Sequence, residues 1–310
     1  MERRAGMELK PSRRAFVKTL TAGSVVAGSV KTPISASVIP DAPLEILFLG
    51  TGSPGIIPGE ERGGACEIVF VGEEPLLFDC GHLALHNLTQ AGMHPRAVRH
   101  LFFTHTFHYD HFCDFSAFAM IRALRQEGVE GGRGPLHVYG AADTQERIDT
   151  VLRDVYAEDV RAQGLIRRNS VQVHHADEGP AANDEGWEVS STHVLHGPNA
   201  LGYRIDADGK SVTITGDIAA PSADNPRRIV GFPCESIERL AEGTDVFVMD
   251  ACARHSSPKE LAAAAARVNP GRVVLTHVTN NNSAQRFRDE MVKAYKGEVI
   301  IAENQMRISV

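Results

Sequence analysis

Short apolar runs separated by glycine and aspartate recur along the chain from residue 44 onward. Their length and their β-branched and aromatic content are typical of buried strands, and helical periodicity appears between some of them. The predicted strands are Glu45–Gly50, Cys66–Val71, Leu76–Asp79, His100–Thr104, Leu136–Gly140, Val171–His175, Glu188–Val194, Gly202–Asp206, Ser211–Gly216, Val246–Asp250, Arg272–His277, Glu298–Ala302 and Met306–Val310. The predicted helices are Ala84–Ala91, Phe115–Gln126, Thr144–Tyr156, Lys259–Arg267 and Ala284–Tyr295.

This balance of many strands and few helices favours an α+β fold in which two sheets pack face to face beneath outer helices. The acidic segment Asp177–Gly186 contains glycine and proline, and we predict that it is an exposed loop. No Pro- or Ser-rich linker separates the two halves of the chain. Residues 38–310 are therefore predicted to form a single domain.

Histidine and aspartate collect where predicted strands end. The segment Thr104–His111 follows the apolar run Leu101–Phe103 and contains His105, His108, Asp110 and His111. Three further strand ends carry His196, Asp217 and His277. Imidazole and carboxylate groups are the ligands of zinc and similar metals, and a set this dense is hard to explain as core packing. Because ligands need a rigid frame, we predict that these strand ends converge on one metal site.

The first 37 residues are predicted to be an export signal rather than part of the fold. The stretch Ser12–Lys18 matches a twin-arginine motif, and the modestly apolar run Thr19–Val30 follows it. Ser35 and Ser37 offer small residues for cleavage before Val38. We therefore expect a periplasmic or secreted protein that uses the twin-arginine export machinery. The apolar run is too short for stable membrane insertion, and no other stretch of the sequence is long enough.

The charge of the chain changes once this leader is set aside. Residues 1–37 carry seven basic and two acidic side chains, so the remaining residues have a net charge of −12. A protein with this negative charge repels the phosphate backbone of nucleic acid unless it has a local basic patch. The basic residues in Arg161–Arg168 and Arg227-Arg228 are too sparse to form such a patch. The sequence thus favours a small-molecule substrate and excludes nucleic acid. A homodimer is compatible with the sequence. The spacing of the five cysteines does not identify a disulfide pair.

In their order and spacing, the motifs resemble those of the metallo-β-lactamase superfamily, in particular the branch with ribonuclease Z and the zinc-dependent arylsulfatases. The resemblance covers residues 44–310. It rests on Leu49–Pro54, Phe78–Gly81, Thr104–His111, Pro135–Gly140, His196 followed by Gly202–Ile205, Thr215–Asp217, and Leu275–His277. The resemblance implies a four-layer αββα sandwich with two divalent metal ions. Zinc is the usual metal of the family, and manganese and iron also fit these ligands.

The resemblance also assigns roles to single residues. The last three ligands of the family's HxHxDH loop correspond to His108, Asp110 and His111. His196 would complete the first metal site and His277 the second, with Asp217 bridging the two.

Catalytic and supporting roles follow from the same comparison. Asp110 is expected to orient the attacking water as well as to bind metal. His255 is expected to bind a substrate oxyanion or to protonate the leaving group, if its loop reaches the pocket. Asp79 and His193 are expected to hydrogen-bond ligands rather than to bind metal themselves.

The first metal ligand departs from the family's spacing. Thr106 occupies the position of the family's first histidine, and His105 stands one residue earlier. Either the loop bulges so that His105 still reaches the metal, or the first site is depleted. The sequence favours a bulge at Thr106 or Phe107, because loops at functional rims accept one extra residue.

Ribonuclease Z activity itself is disfavoured by other departures. The PxKxRN motif reads Pro58–Gly63 and lacks its lysine and asparagine, and the HEAT motif reads Met249–Cys252 and lacks its histidine. The HST motif survives in part as His255–Ser257. We therefore predict an exported binuclear hydrolase that cleaves a small sulfate ester or phosphodiester by attack of a metal-activated hydroxide. Hydrolysis of a lactone or another carboxylic ester, and a degenerate non-catalytic metal-binding role, stay open as alternatives.

Overall fold

The computed structural model describes residues 40–55, 59, 62–123, 134–154, 170–222 and 224–310. The predicted export signal, residues 1–37, lies outside these ranges. The strands are β1 Leu44–Gly50, β2 Cys66–Val71, β3 Glu74–Phe78, β4 His100–Phe102, β5 Leu136–Gly140, β6 Val171–His175, β7 Gly179–Asp184, β8 Trp187–His193, β9 Leu201–Ala207, β10 Lys210–Ile214, β11 Ala220–Pro221, β12 Ile229–Val230, β13 Val246–Asp250, β14 Arg272–Thr276, β15 Glu298–Ile301 and β16 Arg307–Ser309. The helices are α1 Ala84–Gln90, α2 Tyr109–Phe112, α3 Phe115–Ala123, α4 Thr144–Asp154, α5 Glu235–Leu240, α6 Pro258–Val268 and α7 Asn281–Ala294, with a 3-10 turn at Pro95–Ala97. Within the described ranges, no helix is long and apolar enough to cross a membrane.

Most strands belong to two seven-stranded sheets. The first sheet has the order β16-β1-β2-β3-β4-β5-β6, and its strands from β3 to β6 run parallel. The second has the order β15-β14-β13-β10-β9-β8-β7, and β10, β13, β14 and β15 run parallel. The carboxyl ends of parallel strands meet at one edge of a sheet, so the residues that follow them lie close together.

Apolar side chains fill three layers. Phe78, Phe102 and Tyr203 lie in the layer between the two sheets. The outer face of the first sheet packs against α1, α3 and α4, and the outer face of the second packs against α5, α6 and α7. Because both faces of each sheet are covered, strands such as β1 and β13 are buried at every position instead of alternating. This layering confirms the predicted αββα sandwich.

Strand β7 corrects one prediction. The segment predicted as the loop Asp177–Gly186 is largely a strand that pairs antiparallel with β8. It lies at the edge of its sheet, where each of its residues is partly or fully exposed and Asp184 adds a charge. Charged, exposed residues are typical of edge strands. The other predicted strands agree with the structure to within two residues at each end. The short helices α2 and α5 span little more than one turn, too short for helical periodicity to reveal.

The imidazole of His100 is buried at the start of β4, with 7% of its surface exposed. Its ring stacks on His137 with the centroids 5.4 Å apart and meets the edge of Trp187 at 5.2 Å. Burial, together with the charges of His137 and Arg99, lowers the pKa of His100 to about 4. The polar groups nearest to the ring are the hydroxyl of Tyr139 at 3.3 Å and Oε1 of Glu74 at 3.9 Å.

Acid is therefore expected to destabilise the fold through His100. The ordinary pKa of histidine is 6.5, so the unfolded chain binds the proton more tightly than the folded chain does. The stability that depends on a neutral His100 is complete above pH 6.5 and is lost as the pH falls towards 4. The expected decrease in the free energy of unfolding is on the order of 2–3 kcal/mol. Urea unfolding at a series of pH values measures this decrease. The variant His100→Phe keeps the stacked ring and should flatten the slope over this range; an unchanged slope contradicts the assignment.

Candidate metal centre

One loop and three strand ends deliver the predicted ligands to the same edge of the sandwich. Residues His105–His111 follow β4 and turn into the short helix α2. His196 follows β8, Asp217 follows β10, and His277 is the first residue after β14. The structure brings all seven predicted ligands together in two adjoining groups, and two overlapping groups among the described residues add Asp250, Cys252 and His255.

The first group consists of His105, His108, His196 and Asp217, whose ligand atoms lie within 4.8 Å of one another. Nδ1 of His108 lies 3.2 Å from Nε2 of His105 and 3.2 Å from Nε2 of His196. Burial lowers the pKa of all three histidines below the ordinary value. Neutral imidazole is the form that binds metal, so three ring nitrogens converge in the required protonation state.

The second group consists of Asp110, His111 and His277, which also lie within 4.8 Å of one another. Nε2 of His277 lies 3.1 Å from Oδ2 of Asp110, and Nε2 of His111 lies 3.9 Å from the same oxygen. Asp110 and His111 are carried by α2, while His277 comes from the opposite sheet.

Asp217 lies between the two groups. Its Oδ2 is 3.3 Å from Nε2 of His196, and its Oδ1 is 3.2 Å from Nε2 of His111 and 3.3 Å from Nε2 of His277. One oxygen therefore faces each group, as a bridging carboxylate requires. The preceding Gly216 has a φ of 59°, and a Cβ there would lie 2.8 Å from Cβ of Thr104. Glycine at this position lets the strand end approach the β4 loop closely.

A hydrogen-bond network behind the loop orients two of these rings. Asp79 accepts from Nδ1 of His111 at 2.8 Å and from the backbone and hydroxyl of Thr104 at 2.8 and 2.7 Å. The Thr104 oxygen lies 3.1 Å from Nδ1 of His105. With Nδ1 protonated in both rings, each Nε2 presents its lone pair to the ligand groups. Asp79 thus has the supporting contact that the sequence suggested.

Asp250 is a supporting residue that the sequence analysis missed. It is fully buried at the end of β13 and lies 3.1 Å from Nδ1 of His277 and 2.6 Å from Nδ1 of His255. The backbone nitrogens of Ile218 and Cys252 donate to the same carboxylate. The sequence analysis treated this segment only as a degraded HEAT motif. The sequence did contain a pointer to Asp250. The predicted strands Val246–Asp250 and Arg272–His277 follow one another along the chain, and Asp250 ends the first strand as His277 ends the second.

His255 reaches the metal centre, as the sequence analysis required for a catalytic role. Its ring centroid lies 5.5 Å from that of His196 and 5.5 Å from that of His277. Burial opposes protonation of this ring, but the hydrogen bond and charge of Asp250 outweigh it and raise the pKa of His255.

The residues present fit two divalent cations. Oδ1 of Asp110 is buried and forms no hydrogen bond with any described residue, while Nε2 of His111 and Oδ1 of Asp217 lie 3.2 Å apart without hydrogen-bond geometry. Leaving such an atom unsatisfied costs roughly 1–3 kcal/mol each, and a bound cation removes that cost. Burial alone would lower the pKa of His111 and of His277. The negative charge of Asp217 outweighs burial and raises the pKa of both rings well above the ordinary value. The pocket therefore attracts positive charge at the positions where cations would bind.

The extra loop residue is accommodated at Thr106 and Phe107. His105 rather than Thr106 enters the first ligand group, and the Thr106 hydroxyl is buried without a hydrogen-bond partner among the described residues. The half-buried ring of Phe107 packs against three ligand rings, with centroid distances of 4.5 Å to His105, 4.8 Å to His108 and 5.6 Å to His196.

The structure does not support the expected role of His193. Its side chain points away from the buried side of β8 and is 45% exposed. Its Nε2 lies 2.7 Å from Oδ1 of Asp177, and none of the hydrogen bonds among the described residues joins it to a ligand. The physical reason is strand alternation, which turns His193 outward where Thr192 is buried.

Known proteins share this fold and sequence pattern. The family model described as the β-lactamase superfamily domain matches residues 75–278. Ribonuclease Z from Mycobacterium bovis (strain BCG / Pasteur 1173P2) is 26% identical over 293 residues, which cover 86% of this chain and 98% of the relative. The metallo-β-lactamase fold protein YhfI from Bacillus subtilis superposes with a TM-score of 0.66 at 17% identity, covering 86% of this chain and 99% of that protein. The short form of human tRNase Z superposes with a TM-score of 0.61 at 22% identity, covering 86% and 99%.

These relatives correct the prediction about partners. The sequence analysis excluded nucleic acid and favoured a small-molecule ester, whereas relatives that match nearly the full length are ribonucleases. The prediction was wrong because net charge sums over the whole surface, while a substrate phosphate meets only the local field of its pocket.

Proposed function

This chain belongs to the metallo-β-lactamase superfamily and is a metal-dependent hydrolase, and from that premise we propose that it hydrolyses phosphodiester bonds with two bound zinc ions. The observation that carries the proposal is the position of Asp217, with one oxygen towards each ligand group. Nitrogen and carboxylate ligands in sets of three or four suit zinc, and metal analysis distinguishes zinc from manganese and iron, which accept the same ligand types.

Each ligand group would hold one ion. His105, His108 and His196 would hold the first, Asp110, His111 and His277 would hold the second, and Asp217 would contribute to both sites. When bound, such a pair of ions activates a water for attack and neutralises charge on the phosphoryl oxygens. Asp110 would orient that water as well as bind the second ion.

His255 donates the proton that the leaving oxygen requires. Asp250 accepts the hydrogen bond from Nδ1, so the other ring nitrogen is free to carry the transferred proton. Although burial opposes protonation, the hydrogen bond and charge of Asp250 raise the pKa of His255. The same carboxylate fixes His277, so the acid and one metal ligand are oriented by a single buried group.

A phosphodiester is favoured over a sulfate ester or a carboxylic ester for two reasons. Relatives named ribonuclease cleave RNA, whose backbone is a phosphodiester. A phosphodiester also carries a negative charge before attack, which a neutral carboxylic ester lacks, and a site with two cations favours such a substrate.

The test is a substrate comparison on metal-loaded full-length protein. Metal content is measured by mass spectrometry, and turnover is measured with bis-p-nitrophenyl phosphate, p-nitrophenyl sulfate, an aryl lactone and a tRNA precursor. We expect about two zinc ions per chain and a kcat/KM for the diester at least about tenfold above that for the sulfate, a difference equivalent to 1.4 kcal/mol in activation free energy.

Two results would overturn the proposal. One is turnover of the sulfate or lactone above that of both phosphodiesters. The other is full loading with two ions and no turnover of any phosphodiester. The variant Asp217→Asn, assayed in parallel, measures the background from contaminating hydrolases.

A further inference from the structure

Cys252 differs from the other buried cysteines in its surroundings. Its thiol is free and fully buried, two residues after the end of β13. Cys66, Cys80 and Cys234 pack inside the apolar layers on the outer faces of the sheets. Cys252 belongs to none of the three apolar clusters of the described ranges. Apolar packing therefore does not account for a thiol at this position.

A tight turn connects Cys252 to His255. The backbone nitrogens of His255 and Ser256 donate to the carbonyl of Cys252 at 2.8 and 3.2 Å, and the backbone nitrogen of Cys252 donates to Asp250 at 2.9 Å. Two residues separate the thiol from the imidazole, which is a spacing that short turns of zinc sites use for paired ligands. The turn thus presents a sulfur and a nitrogen donor from one short segment that hydrogen bonds hold in place.

The ring of His277 completes a group of three donors. The thiol of Cys252 and one ring nitrogen each of His255 and His277 lie within 4.8 Å of one another. The two rings are stacked, with their centroids 5.5 Å apart and 19° between their planes. Asp250 lies 2.6 and 3.1 Å from their Nδ1 atoms, so each Nε2 keeps its lone pair for a ligand. This group shares only His277 with the two ligand groups described above.

We propose that Cys252, His255 and His277 form an inhibitory site for a thiophilic divalent cation such as cadmium or excess zinc. Thiolate prefers soft cations, whereas carboxylate suits harder cations such as manganese. The thiol releases its proton to water when the cation binds. A cation at this site competes with the second ion for His277 and occupies the imidazole that donates the proton to the leaving oxygen. The inhibition rests on the proposed function, whereas the binding does not.

Cadmium titration of the zinc-loaded full-length protein tests the binding. The ultraviolet absorption of cadmium thiolate reports on sulfur ligands alone. We expect this band to saturate near about one cadmium ion per chain and to fall at least about fivefold in Cys252→Ser. Cys113→Ser, which removes an exposed thiol, is the matched control and should retain the band. A band of equal size in Cys252→Ser overturns the site. Circular dichroism checks the fold, and Cys252→Ala repeats the comparison without a side-chain oxygen.

Hydrolysis of bis-p-nitrophenyl phosphate tests the inhibition, with the turnover of each protein normalised to its own value without cadmium. The cadmium concentration that halves turnover should rise at least about tenfold in Cys252→Ser. Manganese should inhibit the wild type and Cys252→Ser equally, because it has little affinity for a thiol. An unchanged half-inhibiting concentration of cadmium overturns the inhibitory role, and so does a rise of the same size with manganese. If the ester is not hydrolysed, the proposed reaction fails, and the cadmium band still tests the site.

Discussion

Replacing Asp217 by alanine is expected to abolish turnover while leaving the fold largely intact. Its carboxylate is the only described group with one oxygen facing each ligand group, so its loss removes a negative charge from between two cations. Charge stabilisation by a metal pair contributes several kcal/mol, so we expect kcat/KM to fall by about a thousandfold or more. Asp217→Asn keeps the shape and removes the charge, and should lose nearly as much.

Metal content, circular dichroism and turnover measured on the same preparation check this prediction. Asp177→Asn is the matched control, because Asp177 is an exposed aspartate that pairs with His193 outside both ligand groups. The control should retain metal and turnover. Near-normal turnover in Asp217→Ala would mean that the reaction uses a single ion or occurs elsewhere.

The second large effect is expected from His105. Its Nε2 faces the first ligand group at 3.2 Å from His108, and a hydroxyl at the neighbouring position is a much weaker ligand for a borderline cation. His105→Ala should lose about one metal equivalent per chain and reduce turnover by about a hundredfold or more. Thr106→Ala should retain both ions, because among the described residues its hydroxyl is buried without a hydrogen-bond partner and its removal costs little.

The measurement is the metal content of the two variants after dialysis against the same zinc concentration. It shows whether His105 or Thr106 binds the first ion. The reverse pattern, with metal lost from Thr106→Ala and retained in His105→Ala, would show that the loop register is displaced by one residue. Equal loss from both would point to a general disturbance of the bulged loop, including the packing of Phe107 on three ligand rings.

The sheet core and the ligand positions could be predicted from sequence because both follow local patterns. Continuous apolar runs indicate strands covered on both faces, and the polar residue after each run lies at a strand end. His196, Asp217 and His277 are of this kind, and the structure brings them together. The edge strand β7 has neither an apolar run nor alternation, so its pairing with β8 depends on long-range contacts that composition does not encode.

The supporting residues were harder to predict because their function depends on register between strands. Asp250 pairs with Thr276 across β13 and β14, and this register places its carboxylate beside Nδ1 of His277. A one-residue slip would turn it to the other face. The position of His193 follows from alternation along β8 itself, which turns its side chain outward although it stands close to His196 in sequence.

The ligands are divided between the two sheets. The loop after β4 of the first sheet supplies His105, His108, Asp110 and His111, whereas His196, Asp217 and His277 come from the second sheet. A cation held by both sets therefore acts as a cross-link that exists only in the folded state, and by mass action the free energy of unfolding rises with the free cation concentration. A lower supply of the cation is therefore expected to lower the free energy of unfolding as well as the turnover.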